Sequence, residues 1–136
     1  MRTSAFFLLL LLLPCLAALA RPVDPGPVVL SYTEYPLTVA GAGYRLVTVV
    51  QDMPPETGIA AIPQAAYLLV TVVSGTMTAR GGAGERPIAS GATWMGGDGS
   101  VFLVNAGPAA ARVTVSALLP DGAAVAGAVA RPEGRR

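Results

Sequence analysis

The chain has no histidine, and all nine of its basic residues are arginine, so it has no lysine either. Its single cysteine, Cys15, lies inside an apolar N-terminal stretch. If that stretch is removed, the remaining protein has no imidazole, no thiol and no side-chain amine. Histidine acid–base catalysis, Cys or Ser-His nucleophilic chemistry and Schiff-base chemistry are then excluded. So is every zinc, copper or haem site built from His or Cys. Charge is also scarce. Only 12% of the 136 residues are charged, and the formal net charge is +1. A lysine-free, near-neutral chain lacks the clustered basic charge that nucleic-acid binding relies on. Aromatic residues make up 6%. What remains for chemistry is Asp, Glu, Arg, Tyr, Ser, Thr and the backbone.

Hydrophobic residues, by contrast, reach 53%, and part of that excess is an address. Residues 1–20 read MRTSAFFLLLLLLPCLAALA. Arg2 supplies a positive n-region, Phe6 to Leu13 an unbroken apolar run, and Ala18-Leu19-Ala20 a small-x-small cleavage site. This is the layout of a secretory signal peptide, with cleavage expected after Ala20 and export to the periplasm or the extracellular medium. A retained transmembrane anchor would need about 20 apolar residues, and Pro14 interrupts this run early. Lipoprotein processing at Cys15 is disfavoured because Pro14 stands where a lipobox carries a small residue. No membrane span is expected after signal removal. The exported chain, from Arg21, balances eight Arg against eight acidic residues. Without cysteine staples its stability must come from an apolar core, which a chain of this length can build.

Residues 21–27, RPVDPGP, form an extended Pro-rich leader. Beyond them the pattern is β. Val28–Thr33 and Tyr44–Val50 are β-branched runs, the second with Tyr44, Leu46, Thr48 and Val50 on one face and Arg45, Val47 and Val49 on the other. Tyr67–Val73 is the most apolar segment and reads as a central strand, with Thr76–Arg80 its hairpin partner across Ser74-Gly75. Val101–Val104 and Ala111–Leu119 are further strands. Turn signals separate them at Met53–Gly58, Gly81–Gly84, Gly96–Gly99, Asn105–Pro108 and Pro120–Gly122. Short strands every 8–12 residues, punctuated by Gly and Pro, predict an all-β sandwich or barrel over residues 28–122. Residues 123–136 read as a weakly helical or flexible tail.

The order of these turns resembles the cupin superfamily. The stretch Met53 to Gly75, MPPETGIAAIPQAAYLLVTVVSG, is similar to the first cupin motif, G-x5-H-x-H-x3–4-E-x6-G. Gly91 to Pro120, GATWMGGDGSVFLVNAGPAAARVTVSALLP, is similar to the second, G-x5-P-x-G-x2-H-x3-N. The matches are turn residues: Pro54-Pro55, Gly58, Gly75, Gly91, Gly99, Asn105 and Gly107. The resemblance covers roughly residues 44–122 and implies a single small jelly-roll β-barrel behind the signal peptide. It also implies where a metal would be held. The two first-motif histidines fall on Ile62 and Gln64, and the carboxylate on Leu68. The third histidine falls on Val101, or on Phe102, since the Gly91-to-Asn105 spacing is one residue short. Cupins hold iron, manganese, nickel or zinc with that His/His/Glu/His set. Here every position is apolar or a neutral amide, so no metal and no other cofactor is expected.

Ile62, Gln64, Leu68, Val101, Phe102 and Trp94 are therefore the candidate lining of a degenerate site, either a filled core or an apolar pocket. Gln64, beside Pro63, is read as a satisfied or solvent-facing amide rather than a ligand, and Trp94 as core before rim. Asp98 has no acidic neighbour and reads as a turn residue rather than a calcium ligand. Gly41-Ala42-Gly43 and Gly82-Ala83-Gly84 lack the context of a dinucleotide loop. Arg45, Arg80, Arg86 and Arg112 read as solvated or edge-protecting charges.

The expected function is a metal-free, non-enzymatic binding or structural module, with an apolar small molecule or a second copy of the chain as candidate partners. Two alternatives stand beside it. One is a metal-independent isomerase or lyase using Tyr, Glu or Arg in the cavity. The other is a β-sandwich adhesion domain with a coincidental cupin likeness.

Overall fold

The computed structural model describes residues 26–61, 65, 67–96, 100–125 and 127. It contains nine strands: β1 (Val28–Val39), β2 (Ala42–Met53), β3 (Gly58–Ala60), β4 (Tyr67–Ser74), β5 (Thr76–Gly81), β6 (Gly84–Ala89), β7 (Thr93–Met95), β8 (Ser100–Val104) and β9 (Ala111–Pro120). They form two antiparallel sheets, ordered β1-β2-β9-β4-β7 and β3-β8-β5-β6. Apart from β1, consecutive strands from β2 onward alternate between the sheets, except for β5 and β6, which pair as a hairpin. Four-stranded layers ordered second-last-fourth-seventh and third-eighth-fifth-sixth are what two interlocked Greek keys produce, which is a jelly roll.

Local chemistry explains the corners. The β1–β2 hairpin turns at Ala40-Gly41, with φ of 51° and 81°. Two consecutive positive φ values are the signature of a turn whose twist matches the flanking strands. Gly75 separates β4 from β5 with φ 81°. A Cβ there would also lie 3.0 Å from the Ala111 Cβ, so both backbone and space demand glycine.

The expected alternation in β2 is observed. Val47, Val49, Gln51 and Met53 are buried, whereas Leu46, Thr48 and Val50 are only partly covered. Residues 111, 113, 115, 117 and 119 of β9 behave in the same way. Their inward side chains meet Ile59, Met77, Ala79, Ile88 and Leu103 of the other sheet in one apolar core. Burial of each large member contributes about 1.5–3 kcal/mol.

Three expectations are corrected. First, Thr76–Arg80 is not the hairpin partner of Tyr67–Val73. β5 pairs with β6 and β8 in the opposite sheet, while β4 lies between β9 and β7. The positive-φ bend at Gly75 sends the chain across the sandwich instead of back along the strand. Second, the first strand does not end at Thr33. It runs through Pro36 to Val39, which β1 tolerates because it is an edge strand. Third, Gly58 and Gly84, expected to close turns, begin the strands Gly58–Ala60 and Gly84–Ala89. Long-range pairing with β8 and β5 decides them, not local propensity.

Candidate functional site

The interior is where a jelly roll of this kind would carry a metal. Leu68, at the position of the carboxylate ligand, lies on the inner face of β4 opposite Ala117 of β9 and is 3% exposed. Trp94 sits on β7 opposite Val70 and is fully buried. Among the described residues, 17 hydrophobic side chains are buried, none more than 3% exposed. These side chains pack against one another in one apolar cluster. Ile62 and Gln64 lie outside the described residues. Val101 is placed by its backbone in β8, and its side chain also lies outside the described set.

Phe102 requires a correction. It does not line the interior. It is 51% exposed and projects from the outer face of the four-stranded sheet, because its neighbour Leu103 takes the inward position with 0% exposure. A one-residue difference in register reverses the face.

The described residues bring no metal donor set together. The chain has no histidine. Among the described residues no three His, Cys, Asp or Glu side chains come together. The polar atoms that do reach the interior are few. Gln51 Nε2 and Trp94 Nε1 are buried without hydrogen-bond partners. Both of these atoms are N–H donors.

One polar cluster lies on the inner face at the barrel's edge. Tyr32 donates its hydroxyl to Glu34 Oε2 at 3.0 Å, and Arg45 Nη1 donates to Glu34 Oε1 at 3.0 Å. Arg45 Nη2 also donates to the carbonyl of Ala123. Arg45 and Glu34 expose 24% and 22% of their side chains, and register places both on the inner face, Arg45 opposite Leu119 and Glu34 opposite Val47. Arg45 is thus a partner of the sheet's inner rim, not a freely solvated charge. Arg112 fits the surface reading better, with Nε and Nη2 donating to the two carboxylate oxygens of Asp52 at 2.7 and 3.0 Å. That bidentate bond lowers the Asp52 pKa below its ordinary 3.8 and raises that of Arg112.

A buried asparagine organises the turn before β3. Asn105 is 1% exposed. Its Nδ2 donates to the Met53 and Ala109 carbonyls, both at 2.8 Å, and its Oδ1 accepts from Gly107 N at 3.0 Å. Its backbone bonds to Glu56 N at 2.8 Å and Thr57 O at 2.9 Å. This network holds Glu56 at φ 63°, a value non-glycine residues seldom adopt.

No family model matches the chain, and no curated protein matches it. Solved structures do. A conserved Klebsiella pneumoniae protein with a double-stranded β-helix domain is 24% identical, with a TM-score of 0.49, covering 76% of this chain and 85% of that one. A Cupin 2 conserved barrel domain protein from Salinispora arenicola is 14% identical, TM-score 0.44, covering 63% and 74%. The Cnp3 cupin domain of Schizosaccharomyces pombe is 13% identical, TM-score 0.45, covering 66% and 64%. These are likenesses of fold alone. The two interlocked Greek keys decide the matter. The chain has a jelly-roll fold. Within that barrel, Gly75 and Asn105 stand at corners that the structure bends or ties, so the turn residues that carried the resemblance have structural work to do.

Proposed function

We propose that this protein is an exported, metal-free cupin-type barrel that acts as a non-enzymatic module. The observation that supports the reading is the burial of Leu68 and Trp94 in the apolar core, where a metal centre would need polar ligands. Binding or assembly is then the business of the outer surface. Export rests on the signal-like residues 1–20. Elemental analysis of the purified protein tests the metal-free reading. The expected content is well below one equivalent, and stoichiometric iron, manganese or zinc overturns it.

Self-association belongs to the same proposal. On the outer face of the five-stranded sheet, Tyr35, Leu46, Leu118 and Tyr67 form one cross-strand row, with Leu37 and Tyr44 beside it. Tyr35, Leu37 and Tyr67 are 40–59% exposed, and contiguous apolar surface of this kind marks interfaces. Light scattering of the purified protein is expected to give a dimer, and a strict monomer removes this part of the proposal.

One observation favours the enzymatic alternative. Tyr32, Glu34 and Arg45 are the residue types a metal-independent isomerase or lyase would use, and they share the inner rim. Both Glu34 carboxylate oxygens already accept hydrogen bonds from Tyr32 and Arg45, which favours a structural tie. The adhesion-sandwich alternative, with a coincidental likeness, is disfavoured by the jelly-roll strand order.

A further inference from the structure

The outer face of the four-stranded sheet carries a shallow groove of about 350 Å³, lined by Glu56, Gly58, Ala60, Arg80, Phe102 and Val104. Its shape follows from the register. Ala60 of β3, Phe102 of β8, Arg80 of β5 and Glu85 of β6 form one cross-strand row. Gly58 and Val104 form part of the next. The edge strand β3 thus presents only a methyl group and a hydrogen beside Phe102 and Val104. The aromatic ring, normally covered by a neighbour on such a face, is left half exposed.

Polar groups stand at the two sides of this floor. Arg80 Nε forms an ion pair with Glu85 Oε1 at 2.6 Å. Its terminal nitrogens have no partner among the described residues and remain donors. Glu56 lies at the other rim. Its carboxylate forms no ion pair or hydrogen bond among the described residues, while its backbone is pinned in the left-handed region by the Asn105 network. A non-glycine residue held there costs about 1–3 kcal/mol, and such strain persists where the surroundings over-determine it. The pinned backbone presents a free acceptor at a fixed rim.

We propose that this groove is a binding site for a neutral sugar ring. An aromatic floor suits the C–H face of a pyranose, while the guanidinium donates to hydroxyl oxygens and the carboxylate accepts hydroxyl protons. Glu56, Arg80 and Glu85 together carry one net negative charge, so an acidic sugar or other anion is disfavoured. The open, shallow form suits a ligand that keeps part of its water. The proposal goes beyond the metal-free reading and is independent of it. The groove lies outside the barrel, so metal found in the interior would leave it untouched.

The test is an amide-shift titration of the purified, isotope-labelled protein by nuclear magnetic resonance. The probes are maltotriose, cellotriose, chitotriose, trigalacturonate and trialanine, each added separately. At least one neutral trisaccharide is expected to shift the amides of Gly58, Ala60, Arg80 and Phe102, with a Kd of about 0.1–10 mM. Phe102→Ala is expected to weaken binding at least about tenfold, and Glu56→Gln about threefold to tenfold. Ala60→Leu, which fills the groove from the edge strand, serves as the second variant and is expected to abolish binding whether or not Phe102→Ala folds. The proposal is overturned by the absence of shifts with all three neutral sugars, by shifts confined to another surface, or by tighter binding of trigalacturonate or trialanine. Unchanged binding in a folded Phe102→Ala or Ala60→Leu protein overturns it as well.

Discussion

Replacing Asn105 by alanine removes three side-chain hydrogen bonds at once: Nδ2 to the Met53 and Ala109 carbonyls and Gly107 N to Oδ1. Each is worth about 0.5–1.5 kcal/mol net, and a buried group left unpaired costs about 1–3 kcal/mol. The bond to Met53 is the buried one, so that carbonyl carries the larger penalty. Water can partly replace the others at this half-exposed turn. The expected loss of stability is therefore about 3 kcal/mol, a large part of the 5–15 kcal/mol typical of a domain. Urea unfolding followed by circular dichroism measures it. With a slope of about 1.5 kcal/mol/M the midpoint falls by about 2 M at unchanged slope. Thr71→Val is the control. It breaks an exposed hydroxyl pair with Thr93 at 3.0 Å and is expected to move stability by no more than about 0.5 kcal/mol. A loss below about 1 kcal/mol for Asn105→Ala, or one equal to the control, refutes the view that this side chain ties the turn to the barrel.

Two further outcomes follow from the same structure. Leu68→Ala leaves a hole in a core that is 3% exposed at that point and is expected to cost about 2–5 kcal/mol by urea unfolding; a cost under about 1 kcal/mol would mean the interior collapses or was hollow. The Asp52–Arg112 bond sets an acid limb. The folded-state pKa of Asp52 lies below its ordinary 3.8 because Arg112 binds its carboxylate, so the stabilisation is present above that ordinary value and is lost as pH falls through the lowered one. Arg112→Gln is expected to flatten the fall in stability on that side while changing little near neutrality, where this surface pair is weak; an unaltered acid limb counts against the linkage.

How far the site could be read from sequence depended on the kind of residue. Turn residues were legible because a tight corner restricts the backbone locally: Gly75 and Asn105 identify themselves by what few other residues can do there. Val47 and Val49 were legible as one face of β2 because side chains alternate along any strand. Phe102 was not legible. Its inward placement depended on counting across the short Gly91-to-Asn105 interval, and a slip of one residue moves a side chain to the opposite face. The Glu56–Arg80–Phe102 groove left no sequence signal either, since its members come from β8, β5 and the turn before β3. The smallness of Gly58 and Ala60 acquires meaning only beside Phe102. The pairing of Glu34 with Arg45 across the β1–β2 hairpin was likewise invisible, because β1 was expected to end before reaching that far.

Composition alone determined which chemistries the protein lacks, since no fold can supply an imidazole or an amine that the chain does not encode. Local pattern determined that the protein is all β and where its corners lie. Tertiary structure decided the rest. It sent β5 across to the second sheet, buried Leu68 and Trp94 in the core, and turned Phe102 outward beside two residues too small to cover it. Strand pairing and face are properties of the assembled sheets: they depend on register between segments distant in sequence, and no single strand contains that information.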